Sequence, residues 1–90
     1  MYVLEYTKIA EESFRKLKKN EPKAFAKLKT LLLELMEHPT SGTGHPEQLK
    51  GDRAGQWSRK INKKHRLIYQ IKETEVVVLI LSAYGHYDDK

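Results

Sequence analysis

Three side chains in the second half of this 90-residue chain have the types that metal-free cleavage of RNA demands. Cutting a strand at a ribose needs a base for the 2′-OH proton and an acid for the 5′-leaving oxygen. It also needs positive charge on the phosphorane-like transition state. Glu47 suits the base, His86 the acid and Arg66 the charge clamp, with Lys50 assisting. Tyr87 suits stacking on or orienting a base, the usual way single-stranded RNA is held. The scheme calls for no metal and no cofactor, and no HExxH or Cys/His ligand spacing occurs in the sequence. Taken singly, each residue is ordinary. A Glu in a Gly/Pro loop is usually a solvated acid, an Arg on a strand is usually surface charge, and residues near a chain end are usually loosely held.

The elements that must position these groups follow from periodicity. Residues 2–6 read as a short strand. Thr7 is a helix N-cap, and Ile9, Ala10, Ser13, Phe14 and Leu17 recur at helical spacing. Asn20-Glu21-Pro22 stops that helix and starts a second, with Phe25, Leu28, Leu32 and Leu35 as its apolar stripe and Leu31 and Met36 widening it. His38-Pro39 ends it, with His38 as no more than a terminal residue. Residues 40–55 form a loop, glycine- and proline-rich and long for so small a domain. Strands are expected at 56–62, 65–71 and 75–83, the last interior to the sheet because its apolar run is unbroken. The order β-α-α-β-β-β predicts an α+β fold: one domain over residues 1–90, with an antiparallel-rich sheet carrying a two-helix hairpin on one face.

Alternation along the strands assigns the other face. Leu67, Tyr69 and Ile71 turn towards the helices, leaving Arg66, Ile68 and Gln70 on the open side. Trp57 and Ile61 also face the core, so Ser58 and Lys60 are open. Arg59 falls on the core parity and is expected near an edge, or snorkelling. Lys60 and Arg59 join Lys50 and Tyr87 as substrate-binding candidates. The tail Tyr84-Gly85-His86-Tyr87 emerges close by. His65 has core parity and is read as structural, and nothing selects His45.

Lys and Arg number 17 against 12 Asp and Glu, a net charge of +5, which suits a polyanion or an acidic protein partner. The absence of cysteine excludes disulfides, thiolate metal sites and a Cys nucleophile. The start of the chain has no secretory signal pattern, and the longest apolar run, residues 76–81, is too short to span a bilayer. A soluble cytoplasmic protein with no membrane contact is the expectation.

The same residues fall into a family pattern. Gly44-His45-Pro46-Glu47-Gln48-Leu49-Lys50 resembles the G-x-P-E-x-L-K loop of the Txe/YoeB branch of the RelE superfamily. Gly55-Gln56-Trp57-Ser58-Arg59-Lys60-Ile61 resembles its G-x-W-S-R-R-I strand, His65-Arg66-Leu67-Ile68-Tyr69 its H-R-L-V-Y, and His86-Tyr87 its terminal H-Y. The resemblance covers essentially the whole chain, with the motifs in order. It implies a RelE-like fold and a toxin of a type II toxin–antitoxin pair, an endoribonuclease that enters the A site of the 70S ribosome and cuts mRNA within the codon. It assigns the base to Glu47, the charge clamp to Arg66, the acid to His86 and contacts to Lys50 and Tyr87, but selects neither His45, Lys60 nor Trp57. It further implies a cognate antitoxin and operator DNA bound only through the toxin–antitoxin complex, and dimerisation is common among such toxins. The chain departs from the pattern in having Tyr84-Gly85 where a pair such as Arg-Tyr is usual, Lys60 for a common Arg, and Asp88-Asp89-Lys90 beyond the terminal tyrosine. The competing class is a ParE-like toxin that inhibits gyrase by contact, which has no reason to keep Glu47, Arg66 and His86 together.

Overall fold

The computed structural model describes residues 1–85. The first strand, β1, is Val3–Tyr6. Helix α1, Lys8–Asn20, begins where the sequence says it must: Thr7 is extended, and its Oγ1 accepts the Ala10 amide at 3.0 Å. The same hydroxyl donates to the Leu81 carbonyl at 2.9 Å, so the cap also ties the helix start to the sheet. Helix α2, Pro22–Glu37, starts on its proline, and the His38 amide closes it on Glu34 O. The two helices bury Ala10, Leu17, Ala24, Leu28, Leu31 and Leu35 against Ile61, Leu67, Tyr69, Val78 and Ile80 of the sheet side, with Phe25, Trp57 and Ile71 half-buried around them.

The remaining strands are β2 (Glu47–Gln48), β3 (Gln56–Lys60), β4 (Arg66–Lys72) and β5 (Val77–Ser82). Their order across the sheet is β1-β5-β4-β3-β2. β1 runs parallel to β5 and the other pairs are antiparallel. The apolar β5 is interior, as its unbroken pattern predicts.

Two details differ from the sequence reading. The long loop contributes a two-residue strand, β2, followed by a 3-10 turn at Gly51–Arg53. The last strand also starts later than residue 75, because Glu73–Glu75 form another 3-10 turn and Val76 adopts φ +55°. A β-branched residue in the left-handed region is strained. Val76 tolerates this at the point where the chain reverses into β5, with 45 % of its surface exposed.

Candidate active site

Glu47 reaches the sheet through a backbone reversal. Gly44 (φ +87°) and His45 (φ +53°) are both left-handed, and the Lys60 amide donates to Gly44 O at 2.7 Å. A Cβ at Gly44 would lie 2.9 Å from the Lys60 carbonyl, so only glycine lets the loop approach β3 this closely. From there Glu47 pairs with Ser58 and Gln48 with Trp57. The Leu49 amide extends the ladder to Gln56 O at 2.9 Å, and the Leu49 side chain is buried. Glu47 and Lys50, on either side of this anchor, are exposed.

Directly paired residues project to the same face of a sheet. The register Glu47↔Ser58↔Ile68, with Lys60↔Arg66 beside it, therefore puts Glu47, Lys60 and Arg66 on one face, away from the helices. Arg66 is two strands over and two residues along from Glu47, about 12 Å between Cα atoms at standard strand spacing. A glutamate and an arginine can converge across that gap on a phosphodiester. Ser58 and Ile68, between them, are buried and form the floor. Arg66 is half-buried, its Nη1 donating to Asn62 O at 3.3 Å. Lys60 is exposed. A cleft lined by Gln48, Trp57, Ile71 and Thr74 belongs to the opposite side of the sheet from Glu47.

Arg59 corrects the sequence reading. It neither lies at an edge nor snorkels, and it does not present its charge to substrate, for it is wholly buried. Its Nε donates to Tyr69 Oη at 3.2 Å, Nη1 to Glu34 Oε1 at 2.9 Å and Thr43 O at 3.3 Å, and Nη2 to the carbonyls of Ser41 (2.7 Å) and His38. The Tyr69 hydroxyl in turn donates to Pro39 O at 2.7 Å. Burial pushes that hydroxyl above its ordinary range, with Arg59 pulling the other way. Arg59 thus ties the end of α2 and the first part of the loop to the sheet, upstream of Glu47.

Glu34 completes this knot. Thr43 donates to it from Oγ1 at 2.7 Å and from its amide at 2.9 Å. These bonds, and then the Arg59 guanidinium, hold its carboxyl below the ordinary carboxylate range. A depressed folded-state pKa gives stability that is present above the unfolded value, about 4.3 for Glu, and lost as pH falls through the folded one. The melting temperature is therefore expected to drop as the solution is acidified below about pH 4.3. Glu34→Gln should start lower and show a flatter dependence. Melting temperatures that fall equally steeply with acid in both proteins would contradict this.

His65 is buried and structural, as expected, with more contacts than expected. Its Nε2 lies 2.6 Å from Glu21 Oε2, and its Nδ1 accepts the Gly85 amide at 2.8 Å. The hydrogen bond to His65 also holds Glu21 below its ordinary range. The neighbouring Arg66 amide donates to Gly85 O at 2.9 Å, so the chain just before residue 86 is fixed beside Arg66. His86 and Tyr87 themselves lie outside the described residues.

Comparison with known proteins agrees with this architecture. The profile of the YoeB-like toxin of bacterial type II toxin–antitoxin systems matches residues 6–87. Toxin YoeB of Synechocystis is 33% identical over 82 residues, covering 91% of this chain and 93% of that protein. Among solved structures, a YoeB/ParE toxin from Agrobacterium tumefaciens superposes with a TM-score of 0.89 at 28% identity, covering 94% of this chain and 99% of that one. The YoeB–YefM complex from Staphylococcus aureus gives 0.82 at 30% identity, covering 97% and 99%. That toxin has also been solved as a YoeB dimer. With the family profile spanning nearly all of its length, this chain belongs to the YoeB-like toxins of bacterial type II toxin–antitoxin systems.

Proposed function

We propose that the chain is a ribosome-dependent endoribonuclease that cuts mRNA in the A-site codon and so arrests translation. Glu47 takes the ribose 2′-OH proton, and the oxygen attacks the adjacent phosphorus. His86 protonates the 5′-leaving oxygen, so the products are a 2′,3′-cyclic phosphate and a free 5′-OH. Arg66 stabilises the charge that builds on the phosphorane-like transition state. Lys50 and Lys60 contact the RNA backbone and Tyr87 holds a base. No metal ion and no cofactor enters the scheme. The observation that carries this reading is the shared face of Glu47, Lys60 and Arg66, with the Arg66 amide holding the residue that precedes His86.

The site is open and its few cationic contacts are too sparse to grip RNA alone, so the ribosome supplies the binding. Naked RNA at physiological salt is then a poor substrate. A cognate antitoxin, the counterpart of YefM on the Staphylococcus protein, neutralises the toxin by covering the basic face and displacing the 86–87 tail. Operator DNA is reached only through that complex. The protein acts in the cytoplasm, and a homodimer is a second assembly open to it, by analogy with the Staphylococcus dimer. No helix among the described residues is long and apolar enough to cross a membrane.

The test is to map mRNA ends after incubation with programmed ribosomes. Cuts at the A-site codon by wild type, absent with Glu47→Ala and with His86→Gln, are expected. A wild type that arrests growth yet leaves the message intact would reverse the reading. A gyrase-contacting toxin, the activity of ParE-like relatives of this fold, would then be examined by a supercoiling assay.

A further inference from the structure

We propose that His65 is a positioning residue for the C-terminal segment, holding the peptide that leads into His86 in register with Arg66. The inference rests on the reading of His86 as the general acid.

The geometry is specific to both ring nitrogens. An amide N–H can only donate, so Nδ1 carries the lone pair that accepts Gly85 N–H at 2.8 Å. The ring proton is therefore on Nε2, aimed at Glu21 Oε2, 2.6 Å away. Glu21 stands at the junction of α1 and α2, so the imidazole links the helical hairpin to the tail. His65 is 3 % exposed, and a polar group so buried is retained only with its partners made. The Tyr84 ring lies on it at 4.5 Å, and Lys16 Nζ stands 5.2 Å from the Tyr84 centroid.

Among the described residues, little else fixes Gly85. Its φ is +84°, a Cβ there would meet nothing within 4 Å, and its two described hydrogen bonds come from consecutive residues, the His65 side chain and the Arg66 amide. One of those two residues is the proposed charge clamp. The same two-residue unit, His65-Arg66, thus carries the cation and fixes the chain one residue before the acid. A catalytic group that follows directly on such an anchor depends on it for orientation, and a misplacement of about 1 Å can cost about 10²-fold in rate.

Two conservative variants separate positioning from general structure. In His65→Asn the side-chain oxygen sits near the place of Nδ1, so the Gly85 acceptor is kept and the Glu21 contact is lost. In His65→Gln the side-chain amide reaches towards Glu21, and the Gly85 acceptor is lost. On programmed ribosomes, His65→Gln should lose kcat by about 10- to 100-fold with little change in KM. His65→Asn should keep most of its kcat even where its melting temperature is lower. Amide exchange in ¹⁵N-labelled full-length protein reads the anchor without any cleavage: the Gly85 amide should be protected in wild type and His65→Asn, and exposed in His65→Gln. Kcat losses that follow melting temperature, with His65→Asn the worse, would overturn the proposal, as would a Gly85 amide still protected in His65→Gln. If wild type cuts no message, the nuclease reading has failed and the catalytic half of the proposal goes with it. Gly85 exchange then still decides whether His65 holds the segment.

Discussion

Replacing Arg59 by Met is expected to destabilise the protein by about 3–5 kcal/mol, the range for removing one partner of a buried ion pair. Every N–H of the guanidinium is engaged, with Tyr69, Glu34, Thr43, Ser41 and His38 as acceptors. Methionine fills the volume but offers no donor, leaving carbonyls without one and the Glu34 carboxylate with only its Thr43 bonds. Glu34 retains 29% side-chain exposure and regains some water, which favours the lower end. At about 4–8 °C per kcal/mol for a domain of this size, the fall in melting temperature is still large. Arg59→Lys should recover little of it, because a point charge cannot satisfy acceptors arranged around a planar fork. Thermal or urea unfolding of the two variants would measure this. A melting temperature for Arg59→Met within a few degrees of wild type would mean that the knot is ornamental.

Arg59 also shows where local pattern stops being informative. Its parity, between the inward Trp57 and Ile61, pointed to the core, while its charge argued for an edge or a snorkel. Parity prevailed because carbonyls of residues 38, 41 and 43 and the Tyr69 hydroxyl converge on one point, and such convergence has no periodic signature. The usable signal was the pairing of an inward Arg with a loop that has many backbone acceptors and no regular ladder of its own. β2 was missed for a related reason. Glu47 and Gln48 have no apolar alternation, and their extended pairing is imposed by β3 and by the Gly44 approach. Val76 looked like strand because it opens a Val-Val-Val run, yet the turn before it claims its backbone. The helices, the Thr7 cap, the interior β5 and the two faces of β3 and β4 were all legible, since each follows from spacing within one segment. The contact between His65 and Gly85 joins residues far apart in sequence and was not. On the site, the face shared by Glu47, Lys60 and Arg66 agrees with the alternation rule, whereas His86 and Tyr87 fall outside the described residues.

The largest functional effect is expected from Glu47→Gln. Removing a positioned general base lowers the chemical step by about 10²–10⁴-fold. The substitution keeps the size of the side chain, and what holds this stretch is backbone: the pairing of Glu47 with Ser58, the Leu49–Gln56 bond and the Gly44–Lys60 bond. An exposed side chain with no hydrogen bond or ion pair among the described residues should cost no more than about 0.5 kcal/mol when neutralised, so melting curves should nearly superpose. On the proposed reading, with the ribosome supplying most of the binding energy, the loss should appear in kcat and not in KM. Lys60→Gln provides the contrast, since a cation touching the RNA backbone contributes to binding in ground state and transition state alike. Its effect should be a raised KM, with the gap from wild type narrowing as salt rises, because salt screens the contact that wild type retains. Arg66→Lys should fall with Glu47→Gln, losing about 10²–10³-fold in kcat if bidentate contact to the transition state is lost. Single-turnover cleavage on programmed ribosomes separates these cases. A Glu47→Gln protein that cuts nearly as fast as wild type would move the base elsewhere on this face. Equal losses in kcat for Lys60→Gln and Glu47→Gln would instead mean that the face binds RNA as a whole, with no division between gripping the strand and cutting it.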